Sequence, residues 1–467
     1  EQFIPVEIHM TELWKPRLTD GNDPAYKRLL SALQQDIDRK TVSAGTRLPP
    51  VRETAFQLNL SAGTVARAYR DAEQMGLTEA VVGRGTFVAS PAESSPLTAY
   101  ESPIDLSQNL PPIMLSGAAV AQAATAFHEP SPELRRYSYG PHNGFPAQRE
   151  QFTAIARKRL PNAQVDNLVI TNGGQHGIFL ALATLCKAGD IVLCENLTFN
   201  GIKAVADMLK LKLVGVEMDD EGLQPDALGE AARATGAKVL YTIPTSQNPT
   251  GRTQSVTRRR DIAEICDMED ITIVEADMYA FMMKAPPPPL AHLAPHRAFY
   301  LDSFSKRISP SLRTGILVCP PQHVARAQSV IRATSWMSSP LTAAITAQLH
   351  RDGTADKLTS KIRHETSARA TMASRFLRIA PINENALQVW LDMPLEYALK
   401  TEIRAKAMGV LVTPIQVPGV AGHDGSPPPT GLRICLGGPE TRAELAEGLK
   451  RLIRAMEPDP HEILSLV

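Results

Sequence analysis

Apolar residues recur at two different periods along this chain, and the change of period divides it. Near the start, Tyr26, Leu29, Leu30, Leu33 and Ile37 follow a 3.6-residue repeat, which predicts a helix. A turn follows at Ser43-Ala44-Gly45. Pro49-Pro50 then starts a second, shorter helix carrying Val51, Ala55 and Leu58. Ser61 is a good N-cap for a third, with Val65, Ala68 and Tyr69 on its inner side. Two short β-stretches, 80–82 and 86–88, flank Gly83-Arg84-Gly85 and predict a hairpin. Three helices and a hairpin make a winged helix-turn-helix, assigned to residues 20–88. Residues 89–107 are rich in Ser, Pro, Ala and Glu without periodicity and read as a linker. In 108–460 short apolar runs alternate with helical patterns. The runs are 167–171, 190–195, 211–218, 238–244, 271–276, 298–301 and 315–319, and they predict a largely parallel sheet covered on both faces. From about residue 365 the pattern changes, and 388–393 and 431–436 read as strands of a smaller α+β subdomain. Pro286 to Pro289 and Pro427 to Pro429 are rigid loops.

Composition narrows the choice of partners. A chain of 467 residues, 43% hydrophobic and 21% charged, is expected to hold two or three globular domains. Its formal net charge is zero, so any nucleic-acid contact must come from a local basic patch. Five cysteines lie far apart, with no CxxC pair. That argues against a disulfide framework or a zinc site and fits a reducing cytoplasm. No apolar run reaches 18 residues, so neither a membrane span nor a signal peptide is expected. The first nine residues, ending in His9 before Met10, read as an expression remnant.

The strongest chemical pattern is Ser303-Phe304-Ser305-Lys306, followed by Arg313-Thr314-Gly315. It stands just after an apolar strand, at the edge where open α/β sheets bind ligands. A lysine there can form an imine with an aldehyde cofactor, and two hydroxyls with a guanidinium suit a phosphate dianion. An isolated SxSK is more often a solvated surface loop, but four other segments agree. Asn172-Gly173-Gly174-Gln175-His176 follows a strand, where glycines and a helix N-terminus favour an anion. Asn248-Pro249-Thr250-Gly251 places an amide after another strand. Phe199 could stack on a ring, and Tyr279 follows Glu275-Ala276-Asp277 at a further strand end.

Together these motifs resemble the fold-type I pyridoxal phosphate (PLP) enzymes, in particular the aminotransferase class, over residues 135–455. Tyr139-Gly140 with Gly144 and Leu432-Arg433-Ile434 belong to the same resemblance. It implies that Lys306 is the Schiff-base lysine and that Gly174, Gln175, Ser303, Ser305 and Arg313 bind the phosphate. Phe199 would stack on the ring, Asn248 and Tyr279 hold its hydroxyl, and Arg433 takes a ligand carboxylate. The chain departs from the family pattern at Ala276, where an Asp usually pairs with the pyridine nitrogen. Asp277 could replace it only if the strand end is remodelled, because side chains alternate along a strand. Leu197 and Ala147-Gln148 also depart. Transaminase turnover is left open by these changes.

The Leu48-Pro49-Pro50-Val51-Arg52 turn, the helix after Ser61 and the Gly-Arg-Gly-Thr-Phe-Val hairpin resemble the GntR class of bacterial winged-helix regulators. Residues 24–90 hold nine Lys/Arg against six Asp/Glu. In that class Arg52, Thr64, Arg67, Arg84 and Gly85 would meet DNA. Ala62-Gly63 stands where an Arg is common. Head and body together resemble the MocR/GabR family. The resemblance implies a cytoplasmic homodimeric regulator that binds a double-stranded operator, carries PLP on Lys306 and responds to PLP alone or to a small amine or amino acid. Two alternatives stay open: an aminotransferase with an appended DNA-binding domain, and a cofactor-free regulator with the body as scaffold.

Overall fold

The computed structural model describes residues 14–19, 23–39, 41–42, 46–74, 77–81, 85–88, 103–112, 117–125, 139–380, 386–413 and 418–457. They belong to two units, one ending at Glu101 and the other beginning at Ser102.

The first unit contains α1 (Ala25–Asp38), α2 (Val51–Gln57) and α3 (Ala62–Gln74), then β1 (Thr78–Val81) and β2 (Gly85–Val88). The strands pair antiparallel, Thr78 opposite Val88 and Val81 opposite Gly85. α3 begins where its cap is encoded: Ser61 Oγ accepts the Thr64 N–H at 3.1 Å. Leu29, Leu33, Val65, Ala68 and Val88 form the core with Trp14. The segment before α2 runs along the hairpin, with Leu48 N–H donating to Thr86 O at 2.8 Å and Val88 N–H to Thr46 O at 2.8 Å. The turn at 82–84 lies outside the described residues.

The second unit is built on a seven-stranded sheet in the order β4-β12-β11-β10-β9-β5-β6. Its strands are β4 (Leu168–Thr171), β5 (Ile191–Glu195), β6 (Lys212–Val216), β9 (Val239–Thr242), β10 (Thr272–Ala276), β11 (Ala298–Ser303) and β12 (Gly315–Val318). Each of the seven apolar runs supplies one strand. β12 alone runs against the other six strands. Alternate residues feed two separate cores. Leu193, Leu240, Ile273 and Ile316 enter one, while Val192, Tyr241, Val274 and Leu317 enter the other, as expected for a sheet buried on both faces. A short hairpin, β7 (Met218–Asp219) and β8 (Gly222–Leu223), lies outside the sheet.

A third core belongs to the smaller part of this unit. β13 (Gln388–Asp392) and β15 (Gly431–Cys435) pair antiparallel, as the two apolar runs predict. β14 (Val410–Leu411) pairs parallel with β3 (Ile104–Asp105). Residues 104–107, read as linker in the sequence, are therefore part of the body, and Ile104 and Leu106 are buried in this third core. A two-residue strand is too short to show a period, so it merges with the polar stretch before it. No helix among the described residues is long and apolar enough to cross a membrane.

Candidate functional site

Strand order explains how distant segments meet. β12 lies between β4 and β11, so Gly315 stands opposite both Thr171 and Ser303. Residues 172–177 and 303–315 thereby share one corner of the sheet. Gly173 takes φ +82° and caps the helix Gly174–Leu185. A Cβ on Gly173 would lie 2.7 Å from Arg313 Nη2, and one on Gly174 would lie 3.3 Å from Ser303 Cβ. Arg313 adopts a left-handed φ of +45°, which turns its guanidinium back across the corner. Its Nη2 donates to Asn172 O at 3.3 Å and its Nη1 to Ser305 Oγ at 3.4 Å. Ser303 Oγ donates to Ser305 Oγ at 3.3 Å. Gln175 ties its side chain to Gly201 O at 2.8 Å, and its backbone N–H lies in the free first turn of the helix. A guanidinium, two hydroxyls and helix N–H groups make a donor set for a small dianion.

Beside this corner opens a cavity of about 350 Å³ whose walls include Lys306, Phe199, Asn248, Tyr279 and Arg433. Lys306 is half-buried, and Nζ donates to Asn109 O. Burial pushes its ammonium down to about 8, with the Arg433 and Arg313 charges adding to the effect and Cys435 opposing it. Asn248 Nδ2 donates to Tyr279 Oη at 3.4 Å, and Asn109 Nδ2 donates to the same oxygen at 3.3 Å. Burial pushes the Tyr279 phenol up to about 12. Arg433 comes from β15 and is braced on three sides: Nη1 to Asn248 Oδ1 at 2.9 Å, Nε to Thr413 Oγ1 at 2.9 Å and Nη2 to Ser107 O at 3.0 Å. Phe199 caps the helix Asn200–Leu209. Its ring fills the space beside Gly201, where a Cβ would come within 2.1 Å of Phe199 Cε1.

Of the body residues singled out in the sequence, Phe199, Asn248, Tyr279, Lys306 and Arg433 line the cavity, and Gly174, Gln175, Ser303, Ser305 and Arg313 form the corner. Several wall residues, Asn109 and Tyr241 among them, escaped the sequence reading. Ala276 ends β10 inside the apolar cluster that holds Tyr241 and Met278. Asp277 does not take its place. It accepts from Arg159 Nε at 3.0 Å and Nη2 at 2.9 Å, from Thr245 Oγ1 at 2.9 Å and from Tyr300 Oη at 3.2 Å. That closed, buried network uses the carboxylate outside the cavity walls.

In the first unit, Arg52 is exposed on α2 and Thr64 lies in the first turn of α3, its Oγ1 2.8 Å from Ser61 Oγ. Arg67 is exposed but lies over the Tyr26 ring, 4.0 Å from its centroid, and 4.0 Å from Asp71. Gly85 opens β2, and Arg84 lies outside the described residues.

Comparison with known proteins agrees with both units. Residues 101–452 match the family Aminotransferase class I and II, and residues 25–88 match Bacterial regulatory proteins, gntR family. The chain is 30% identical over 451 residues to the uncharacterized HTH-type transcriptional regulator YdeF of Bacillus subtilis, covering 95% of this chain and 97% of that protein. It is 27% identical over 319 residues to the uncharacterized HTH-type transcriptional regulator YjiR of Escherichia coli, covering 62% and 68%. Among solved structures, it is similar in fold to LysN, an α-aminoadipate aminotransferase of Thermus thermophilus. The TM-score is 0.69 at 24% identity, over 78% of this chain and 94% of that one.

Proposed function

Because this chain belongs to the aminotransferase class I and II family and carries a gntR-family head, the MocR/GabR arrangement, we propose that it is a DNA-binding transcription regulator whose body holds PLP and uses it to adjust operator affinity. One observation carries the reading: a winged-helix head and a cavity-lining lysine beside a dianion cradle occur in the same chain.

The residues fit the cofactor. The cradle at Gly173 and Gly174 admits no Cβ without crowding Arg313 and Ser303, which is the close approach a phosphate needs. Lys306 supplies an amine for the aldehyde, Phe199 a ring face, and Asn248 with Tyr279 donors for the ring hydroxyl. When bound, PLP supplies an electrophilic carbon that an amine can occupy. Arg433, held by Asn248, Thr413 and Ser107, would orient the carboxylate of an amino acid in the cavity without needing to reorganise. Arg52 and Thr64 would face the duplex. Working as a cytoplasmic homodimer agrees with five free, buried cysteines and with the two-fold symmetry of most operators.

The test uses the purified full-length protein. Added PLP is expected to give a near-ultraviolet to visible band that borohydride reduces and that Lys306→Ala lacks. A duplex selected from random sequence is then titrated with and without PLP and a panel of amino acids. Arg52→Ala is expected to weaken its binding by ~1–3 kcal/mol. A PLP band with no selectable duplex, together with keto-acid formation, would replace the regulator by an aminotransferase. A selectable duplex with no band would leave the body as scaffold.

A further inference from the structure

Tyr241 has no role in the site as built so far, yet it is part of it. It lies near the end of β9, paired in register with Val274 of β10 and Cys194 of β5. Side chains alternate along a strand, so Tyr241 shares its face with Val274 and therefore with Ala276, two residues further along β10. Both belong to one apolar cluster. Tyr241 is completely buried and forms part of the wall of the Lys306 cavity. Its hydroxyl has no hydrogen-bond partner among the described residues. Buried polar groups are almost always paired, and an orphan at a cavity wall is a donor awaiting a ligand.

We propose that Tyr241 Oη donates a hydrogen bond to the ring nitrogen of bound PLP, on the sheet face it shares with Ala276, and so keeps that nitrogen unprotonated. The inference rests on the PLP reading above and deepens it. The carboxylates near this edge are already engaged: position 276 is Ala, Asp277 accepts from Arg159, Thr245 and Tyr300, and Glu195 accepts from Thr198 Oγ1, Thr242 Oγ1 and Ile243 N–H. Tyr241 itself supplies no anion, because burial, reinforced by Glu195 and Tyr279, drives its pKa well above that of an ordinary tyrosine. A pyridine nitrogen facing a neutral donor, with no carboxylate bonded to it, sheds its proton. His176 also has an orphan nitrogen, Nε2, and its Nδ1 accepts from Asn172 N–H at 3.0 Å. It is not among the cavity walls. An unprotonated ring is a weak electron sink. The site then binds an amine without turning it over quickly, which suits a receptor better than a transaminase.

Nuclear magnetic resonance of PLP labelled with ¹⁵N at the ring nitrogen tests this in the full-length protein, beside the absorption band of lysine-bound PLP. The native protein is expected to show a hydrogen-bonded, unprotonated pyridine nitrogen. Tyr241→Phe should move that resonance toward a pyridine with no hydrogen bond and raise the PLP dissociation constant roughly tenfold. Ala276→Asp should move it the other way, to the protonated position. A band with a protonated nitrogen in the native protein overturns the Tyr241 assignment alone. So does a Tyr241→Phe protein whose resonance and PLP affinity match the native ones. The absence of any band in the native protein overturns the PLP reading and this inference with it. Should Tyr241→Phe fail to fold, the native resonance and Ala276→Asp still decide between the two nitrogen states.

Discussion

Lys306 reacts with an aldehyde only as the free amine. Its pKa is pushed from 10.5 down to about 8, mainly by burial. A lowered pKa means the proton is lost earlier as pH rises, so the reactive form dominates above about pH 8. The rate of PLP capture, followed by stopped-flow absorption, should rise through about pH 8 and then level off. A rate still climbing past pH 9.5 would show an ordinary solvated lysine. The neighbours of Lys306 were legible in the sequence to the degree that each directly follows an apolar strand. Phe199, Asn248 and Tyr279 come after β5, β9 and β10, where position along the chain predicts position at the sheet edge. Tyr241 was not legible, because a tyrosine within an apolar run reads as core; its orphan hydroxyl is visible only in three dimensions. Asn109 was not legible either, since it follows a two-residue strand.

Strands and helices are joined here by contacts that the apolar pattern reveals unevenly. Seven runs gave seven strands, but strand direction leaves no periodic trace. The antiparallel β12, which brings Gly173 against Arg313, had to be seen. In the head the opposite holds, and one motif explains its own geometry. Tyr69 on α3 donates its hydroxyl to Pro49 O at 3.0 Å and lies 2.9 Å from Thr54 Oγ1. The Pro-Pro turn, α2 and α3 are thus fastened at one buried point, which sets how α2 carries Arg52 relative to α3. Burial pushes the Tyr69 phenol up to about 12, so it stays a donor throughout the physiological range. Tyr69→Phe keeps the ring packing and removes the donor. It is expected to cost ~1–2 kcal/mol of head stability, since Pro49 O loses a donor and the Thr54 hydroxyl loses an acceptor. Hydrogen exchange of the α3 amides should then quicken about 5–30-fold, while amides in β9 and β10 keep their native protection. Unchanged α3 exchange would mean that apolar packing alone holds the turn.

A chain with no net charge has little long-range attraction for DNA, so duplex affinity must come from the head, with its nine Lys/Arg against six Asp/Glu. Only three charges of excess stand there, and a modest salt dependence is expected. Such a head binds weakly enough for the body to matter, because a small coupling energy then decides whether the operator is occupied. If PLP in the body shifts duplex affinity, linkage requires the duplex to shift PLP affinity by the same factor. Couplings of this kind amount to ~1–3 kcal/mol, about 5–150-fold. Two titrations therefore check each other: duplex binding by fluorescence anisotropy with and without PLP, and PLP binding by absorption with and without saturating duplex. Equal, non-unit factors are the expected result, and Lys306→Ala should bring both toward one by weakening PLP. A change in duplex affinity without the reciprocal change in PLP affinity would show that PLP acts elsewhere than in this complex. Two factors of one would mean that head and body bind their ligands independently, and regulation would then have to come from the amine in the cavity, not from the cofactor.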